Sequence, residues 1–208
     1  QHFIFLDDAQ FSKGSFTNRV QIAVDGVPKW LTIPCKPHLG TMILDVKIGD
    51  HKWIDDHLNR VQLAYFGSKK FDEIWPTIRD LITGCHGLNL GQINMRIITS
   101  ICEELGVKTK FHRSSNIIDL AYNDASSKLA ALTKRVGGDS YLSGKGGSAY
   151  NRQEVFGNMG VKLIYTDFVE KSRLQISPKF LPGLSILDVL FNLGWAETKE
   201  QFVQRALV

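Results

Sequence analysis

Paired cysteines are missing from this 208-residue chain: there are three, Cys35, Cys85 and Cys102, and no two fall in C-x-x-C spacing. That argues against a disulfide framework and a thiolate zinc site, and favours reduced, mostly buried thiols. No apolar run approaches the roughly 18 residues that cross a bilayer. The first residues also lack the basic-then-apolar pattern of a signal peptide, so no transmembrane segment and a cytoplasmic location are expected. Neither sign of charge dominates. With 25 Lys and Arg against 21 Asp and Glu the net charge is +4, and the basic residues are scattered, far short of a footprint for DNA. The densest basic groups, Lys69-Lys70 and Lys108 to Arg113, read as solvated faces. The histidines at 2, 38, 51, 57, 86 and 112 form no HxH or HxxxH pair, so no metal is expected. The chain has no G-x-S-x-G elbow, no Walker A loop and no dinucleotide fingerprint.

The composition is that of an ordinary soluble domain, with 43% hydrophobic and 22% charged residues, and the length suits one medium domain over residues 1–208. An apolar run from His2 to Leu6 predicts a buried strand that stops at Asp7-Asp8. Val20, Ile22 and Val24 alternate, Asp25-Gly26 supplies a turn, and a strand resumes from Trp30 to Ile33, which together predict a hairpin. Helical spacing marks His51 to Tyr65 and Asp72 to Ile82, and a third helix is capped by Asn89 and ended by Gly106. His57 reads as a core residue of the first of these. A strand follows at about Val107 to His112. Beyond Asp124, a second helix N-cap, the order is helix, strand Ser140 to Ser143, glycine loop, helix Ala149 to Met159 and strand Val161 to Tyr165. That order implies parallel strands with crossover helices. A last apolar helix, Leu184 to Leu193, precedes a polar tail from Glu197. The expected class is α/β, mainly parallel sheet with crossover helices, with an N-terminal β-hairpin and a helical middle segment.

Three segments carry candidate chemistry. In FLDDAQFSKGSFTNR, polar residues Asp7, Asp8, Gln10, Lys13, Asn18 and Arg19 crowd behind a buried strand, where loops often act. The acids could bind sugar hydroxyls, an ammonium or a cation, or serve as a base; equally, they could end the strand with Lys13 and Arg19 paired to them. In SYLSGKGGSAY, Ser143, Gly144, Gly146, Gly147 and Tyr150 surround Lys145. The glycines permit positive φ and close approach to the main chain, which suits either an anion cradle or a plain tight turn. In FLPGLSILDVLFNLG, Ser185, Asp188 and Asn192 line one polar stripe of an apolar helix. The stripe could border a ligand cleft, while Ser185 also suits a helix cap.

Together with the WLTIP strand and the Trp53, His57-Leu58 helix start, these segments resemble the WbqC-like protein family, and the likeness spans nearly the whole chain. The family is associated with genes for bacterial O-antigen and other surface polysaccharides, with transfer of glycine or another small acyl group to an amino sugar as its suggested activity. Members usually open with a motif like QPxFxPxxGYF, and this chain starts after the place where it would lie. A His-Pro or Tyr-rich stretch is also replaced here by VEKSRLQ around Gln175.

What the resemblance implies is a transferase of surface-glycan assembly. Its catalytic candidates are Asp7, Asp8 and Lys13. The substrate-binding candidates are Gln10, Asn18, Arg19, Ser143, Gly144, Gly146, Gly147, Tyr150, Asp188 and Asn192. The implied partner is a small-molecule nucleotide sugar; no cofactor is assigned, and the acyl donor is not identified. A protein that binds such a ligand without chemistry is the alternative.

Overall fold

The computed structural model describes residues 1–117, 122 and 124–205. In chain order the elements are β1 (His2–Phe5), β2 (Arg19–Val24), β3 (Val27–Thr32), α1 (Lys52–Tyr65), α2 (Phe71–Thr83), α3 (Leu90–Glu104) and β4 (Lys110–Arg113). They continue with α4 (Ser114–Ile117), α5 (Ala125–Arg135), β5 (Ser140–Ser143), α6 (Gln153–Asn158), β6 (Lys162–Tyr165) and α7 (Ile186–Arg205). The class is α/β as expected. The residues sort into two compact units, a smaller one of Gln1–Asp8 with Lys108–Val169 and a larger one of Ala9–Val107 with Glu170–Val208.

The smaller unit holds the parallel pairs. β1 runs beside β4 with His2 opposite Lys110, and β5 beside β6 with Ser140 opposite Lys162. Parallel strands need crossover connections: α6 supplies the one between β5 and β6, while the connection from β1 to β4 is the whole stretch Ala9–Val107 of the larger unit. Phe156, Val161, Leu163 and Ala130 form this unit's buried core, and Phe3, Phe5 and Phe111 cluster on the β1–β4 ladder. Asp124 caps α5 by accepting the Ser127 N–H at 3.1 Å. α5 ends where Gly137, at φ 79°, turns the chain toward β5.

The larger unit contains the β2–β3 hairpin and the main core. Asp25 and Gly26 both take positive φ, 51° and 72°, the geometry that a two-residue turn with right-handed strand twist demands. α1, α2 and α3 present the predicted stripes to this core, and Asn89 forms a complete capping box with Gln92. Pro76 is the sixth residue of α2, past the first turn, so the helix lacks the bond that an N–H there would donate to the Asp72 carbonyl. α7 drives Leu190 and Phe191 inward, and Phe191 stacks flat on Tyr65 with ring centroids 4.7 Å apart.

Two elements depart from expectation. After the glycine segment the chain makes a 3₁₀ turn, Lys145–Ala149, and then the short helix α6, in place of one helix from Ala149 to Met159. Two adjacent glycines disfavour a continuous α-helix, and the N–H groups of Gly147 and Tyr150 donate to the carbonyls three residues back. The last helix does not stop at Leu193; it resumes past Gly194, which breaks it at φ 80°, ψ 176°. The residues beyond the break are helical because Glu73 caps them, its carboxylate accepting the Trp195 N–H at 3.0 Å. A contact from a helix more than a hundred residues away is invisible to local periodicity.

Candidate functional site

The carboxyl ends of parallel strands are where α/β proteins bind ligands, and in the smaller unit those ends carry polar side chains. Asp7 follows β1 and is only 2% exposed. Four donors converge on it: Arg113 Nε at 2.8 Å, Ser115 N–H at 3.0 Å, Ser115 Oγ at 2.7 Å and Ser114 Oγ at 3.2 Å. Burial alone would raise its pKa. The Ser115 amide and hydroxyl and the Arg113 guanidinium outweigh burial and hold it below the ordinary carboxylate range, so Asp7 remains ionised and joins the ends of β1 and β4. Asp8 is half-buried, accepts from Ser114 Oγ and pairs with Lys128 Nζ at 2.7 Å.

α5 links this corner to the glycine segment. Lys128 leaves its first turn toward Asp8, while Ser126 Oγ in the same turn accepts the Arg152 N–H at 3.1 Å. Arg152 also pairs with the Asp124 cap at 2.7 Å. Asn151 Nδ2 then donates to Ser143 Oγ at 3.0 Å, so a chain of short contacts runs from Asp8 to the end of β5.

In the glycine segment close packing, and not positive φ, accounts for Gly147. Gly144, Gly146 and Gly147 are absent from the residues with left-handed backbone. A Cβ at Gly147 would clash with Ser143 Oγ and stand 2.8 Å from Asn151 Nδ2, whereas Gly144 and Gly146 face open space. Lys145 forms an ion pair with Asp167, and Tyr150 is exposed.

The rest of the first polar loop belongs to the larger unit. Gln10 makes an isolated bridge with Met42, and Asn18 Nδ2 donates to the Ile33 carbonyl at 3.0 Å. Arg19 lays its guanidinium over the Trp30 ring, 4.0 Å from the centroid, and donates to the Gly14 carbonyl. These contacts brace the hairpin. Lys13 is exposed. The cations that do meet Asp7 and Asp8 are Arg113 and Lys128, in place of Lys13 and Arg19.

The polar stripe of α7 is built into a buried network of the larger unit. Asp188 is fully buried; its Oδ2 accepts Gln175 Nε2 at 2.8 Å and Arg173 at 3.2 Å, while Oδ1 has no hydrogen-bond partner among the described residues. Burial raises its pKa, and Gln175 and Arg173 only partly offset that. Tyr65, buried nearby and facing this negative charge, has its phenol pushed above the ordinary range. Asn192 donates to the Asp188 carbonyl at 2.6 Å, Ser185 Oγ accepts the Leu187 N–H at 3.3 Å, and Gln175 clasps Leu181 through both its carboxamide atoms. An open cleft of about 380 Å³ lies against this network, lined by Asn192 and Arg173 among others.

Sequence reasoning missed Arg113, Ser114, Ser115 and Lys128. Ser114 and Ser115 directly follow a predicted strand, the position that singled out Asp7, and that was the available signal. Arg173 had none, because it acts through a segment without periodic structure.

A polar corner where two parallel strands end, joined through α5 to a glycine-rich turn, belongs to an α/β protein. The chain matches the WbqC-like protein family over residues 1–200 and belongs to it. An uncharacterized protein of Mycobacterium tuberculosis, Rv1507c, is 28% identical over 196 residues, covering 92% of this chain and 84% of that protein. No solved structure matches. Family membership points to a role in glycan or nucleotide-sugar biosynthesis. Among the described residues no helix is long and apolar enough to cross a membrane.

Proposed function

We propose that this protein transfers a small acyl or aminoacyl group, glycine-like in size, to the amine of a nucleotide-linked amino sugar. The observation that supports this reading is the linked set of Asp8, Lys128, Ser126, Asn151 and Ser143 along the carboxyl ends of the parallel strands. Asp8 is the member suited to receive a proton: it is partly exposed, whereas Asp7 is buried and saturated with donors. The amine lone pair attacks an activated carbonyl, a carbon–nitrogen bond forms as the bond to the leaving group breaks, and Asp8 takes the ammonium proton. Asp7 positions Ser114 and Ser115, and through Ser114 it positions Asp8. Lys128 holds the Asp8 carboxylate in place.

A second reading, a protein that binds the nucleotide sugar without turnover, draws support from the same contacts. Both carboxylates are already engaged by cations and hydroxyls, which suits recognition as well as proton transfer. Calorimetric titration with uridine- and thymidine-diphosphate amino sugars, followed by turnover assays with activated glycine donors, separates the two. Transfer predicts binding and turnover in the parent, with turnover lost and binding largely kept in Asp8→Asn. Ser143→Ala should weaken binding. Affinity without turnover supports the second reading, and no affinity for any of these ligands refutes both.

A further inference from the structure

The outer face of the β2–β3 hairpin carries aromatic rings that the core does not use. Strand alternation sends Leu31 into the core and Trp30 to the other face, opposite Gln21 on β2. Trp30 stays 37% exposed, and Phe16, from the loop ahead of β2, stays 68% exposed beside it. Their ring centroids lie 5.6 Å apart with the planes tilted at 55°, so the rings do not close on each other as a stacked pair. The loop that presents Phe16 is pinned on both sides. Ser15 Oγ donates to the Ser12 carbonyl at 2.7 Å and accepts the Thr17 N–H at 3.2 Å. Asn94 Nδ2, on α3, donates to the Thr17 carbonyl at 2.8 Å, and Asn18 Nδ2 donates to the Ile33 carbonyl. A ring ordered in this way and left in water contributes little to folding. A ligand that stacks on it finds the ordering cost already met.

Arg19 stands against the same rings. Its guanidinium lies 4.0 Å from the Trp30 centroid and is fixed by the Gly14 carbonyl. The ring face takes the place of an acid: Arg19 forms no ion pair among the described residues, and its buried Nε has no hydrogen-bond partner there. Lys13, next to Gly14, is exposed and also without an ion pair among those residues. Two cations free of acids beside two exposed rings are complementary to a molecule with a flat face and an anionic tail. A neutral sugar would leave the cations unmet, whereas a nucleotide joins an aromatic base to a phosphate. Two cations suit a single nucleotide and fall short of the run of contacts that a nucleic acid backbone requires.

We infer that Phe16, Trp30 and Arg19 form a nucleotide-binding platform, in which the base stacks on the exposed rings and the phosphate meets Arg19 and Lys13. The platform lies wholly in the larger unit and does not depend on the acyl-transfer chemistry proposed above. Stacking reads a π face and not one particular base edge, so purine and pyrimidine nucleotides both bind, the larger purine more tightly.

The test titrates the full chain with uridine monophosphate, adenosine monophosphate, uridine, ribose 5-phosphate and methyl glucoside, following the Trp30 indole N–H by NMR. Both nucleotides should bind tighter than uridine or ribose 5-phosphate and shift the Trp30 indole with the amides of residues 13–19. Phe16→Ala removes one stacking surface and should weaken uridine monophosphate about tenfold. It should leave ribose 5-phosphate unchanged, at an unaltered unfolding midpoint because the ring is exposed. Lys13→Ala should weaken the nucleotide and spare uridine. Full nucleotide affinity in Phe16→Ala, ribose 5-phosphate or methyl glucoside binding as tightly as the nucleotide, or a Trp30 signal unmoved by nucleotide would each overturn the inference. A chain that transfers no acyl group yet keeps this titration refutes only the transfer reading; one that transfers acyl groups with Trp30 unmoved refutes only the platform.

Discussion

Replacing Gly194 with alanine should unfold the larger unit more readily, by about 3 kcal/mol, and the magnitude follows from two separable causes. At φ 80° and ψ 176° the residue occupies backbone space that is essentially closed to side chains, a strain of roughly 1–3 kcal/mol. In addition, the new Cβ would lie 2.8 Å and 2.9 Å from the two Glu73 carboxylate oxygens. Relief of that clash displaces the carboxylate from the Trp195 N–H, and losing a helix cap costs about 1 kcal/mol. All four tryptophans, at 30, 53, 75 and 195, belong to the larger unit, so fluorescence during urea unfolding reports on that unit alone. Gly87→Ala is the control: Gly87 has the same φ of 80° but nothing within 4 Å of its added Cβ. It should lose only about 1 kcal/mol, the cost of a non-glycine residue at positive φ. The reasoning fails if the two variants unfold at the same urea concentration, or if Gly194→Ala shifts stability by less than about 1 kcal/mol.

Two more outcomes are expected. His57 is 5% exposed, edge-on to Trp53, and burial pushes its pKa down to about 4. The unfolded chain then takes up this proton first, so stability is full above about pH 6.5 and falls by up to roughly 3 kcal/mol as pH drops toward 4; His57→Leu should flatten that limb in fluorescence-monitored unfolding, and an unaltered limb would assign it elsewhere. Asp7 has the ordinary carboxylate sign: with its folded pKa depressed, it contributes stability above the unfolded value that is lost as pH falls through the folded one. Asp7→Asn breaks the buried pair with Arg113 and should cost about 3 kcal/mol, read as lost amide exchange protection along β1 and β4; protection equal to the parent would show that Arg113 does not depend on it.

The sequence by itself determined the elements with a strong local signature. The α1, α2 and α3 stripes, the Asn89 and Asp124 caps, the Asp25-Gly26 turn and the alternation of helix and strand after residue 124 are set by side chains within a few positions of one another. They carried the α/β class and the place of Asp7, Asp8 and Ser143 at strand ends. Tertiary structure decided the partners. Arg113 and Lys128 reach the acids because parallel pairing brings residue 113 beside residue 5 and α5 back toward β1, contacts more than a hundred residues long that no periodicity encodes. The glycine segment illustrates the same limit: its letters permitted left-handed backbone, yet Gly147 is small because Ser143 and Asn151 close over it. α7 continues past Gly194 because a carboxylate on α2 caps it, and Asp188 is buried among Arg173, Gln175 and Tyr65 because the core closes around it. In each case the local sequence set what the chain could form, and packing between distant segments selected which side chains met.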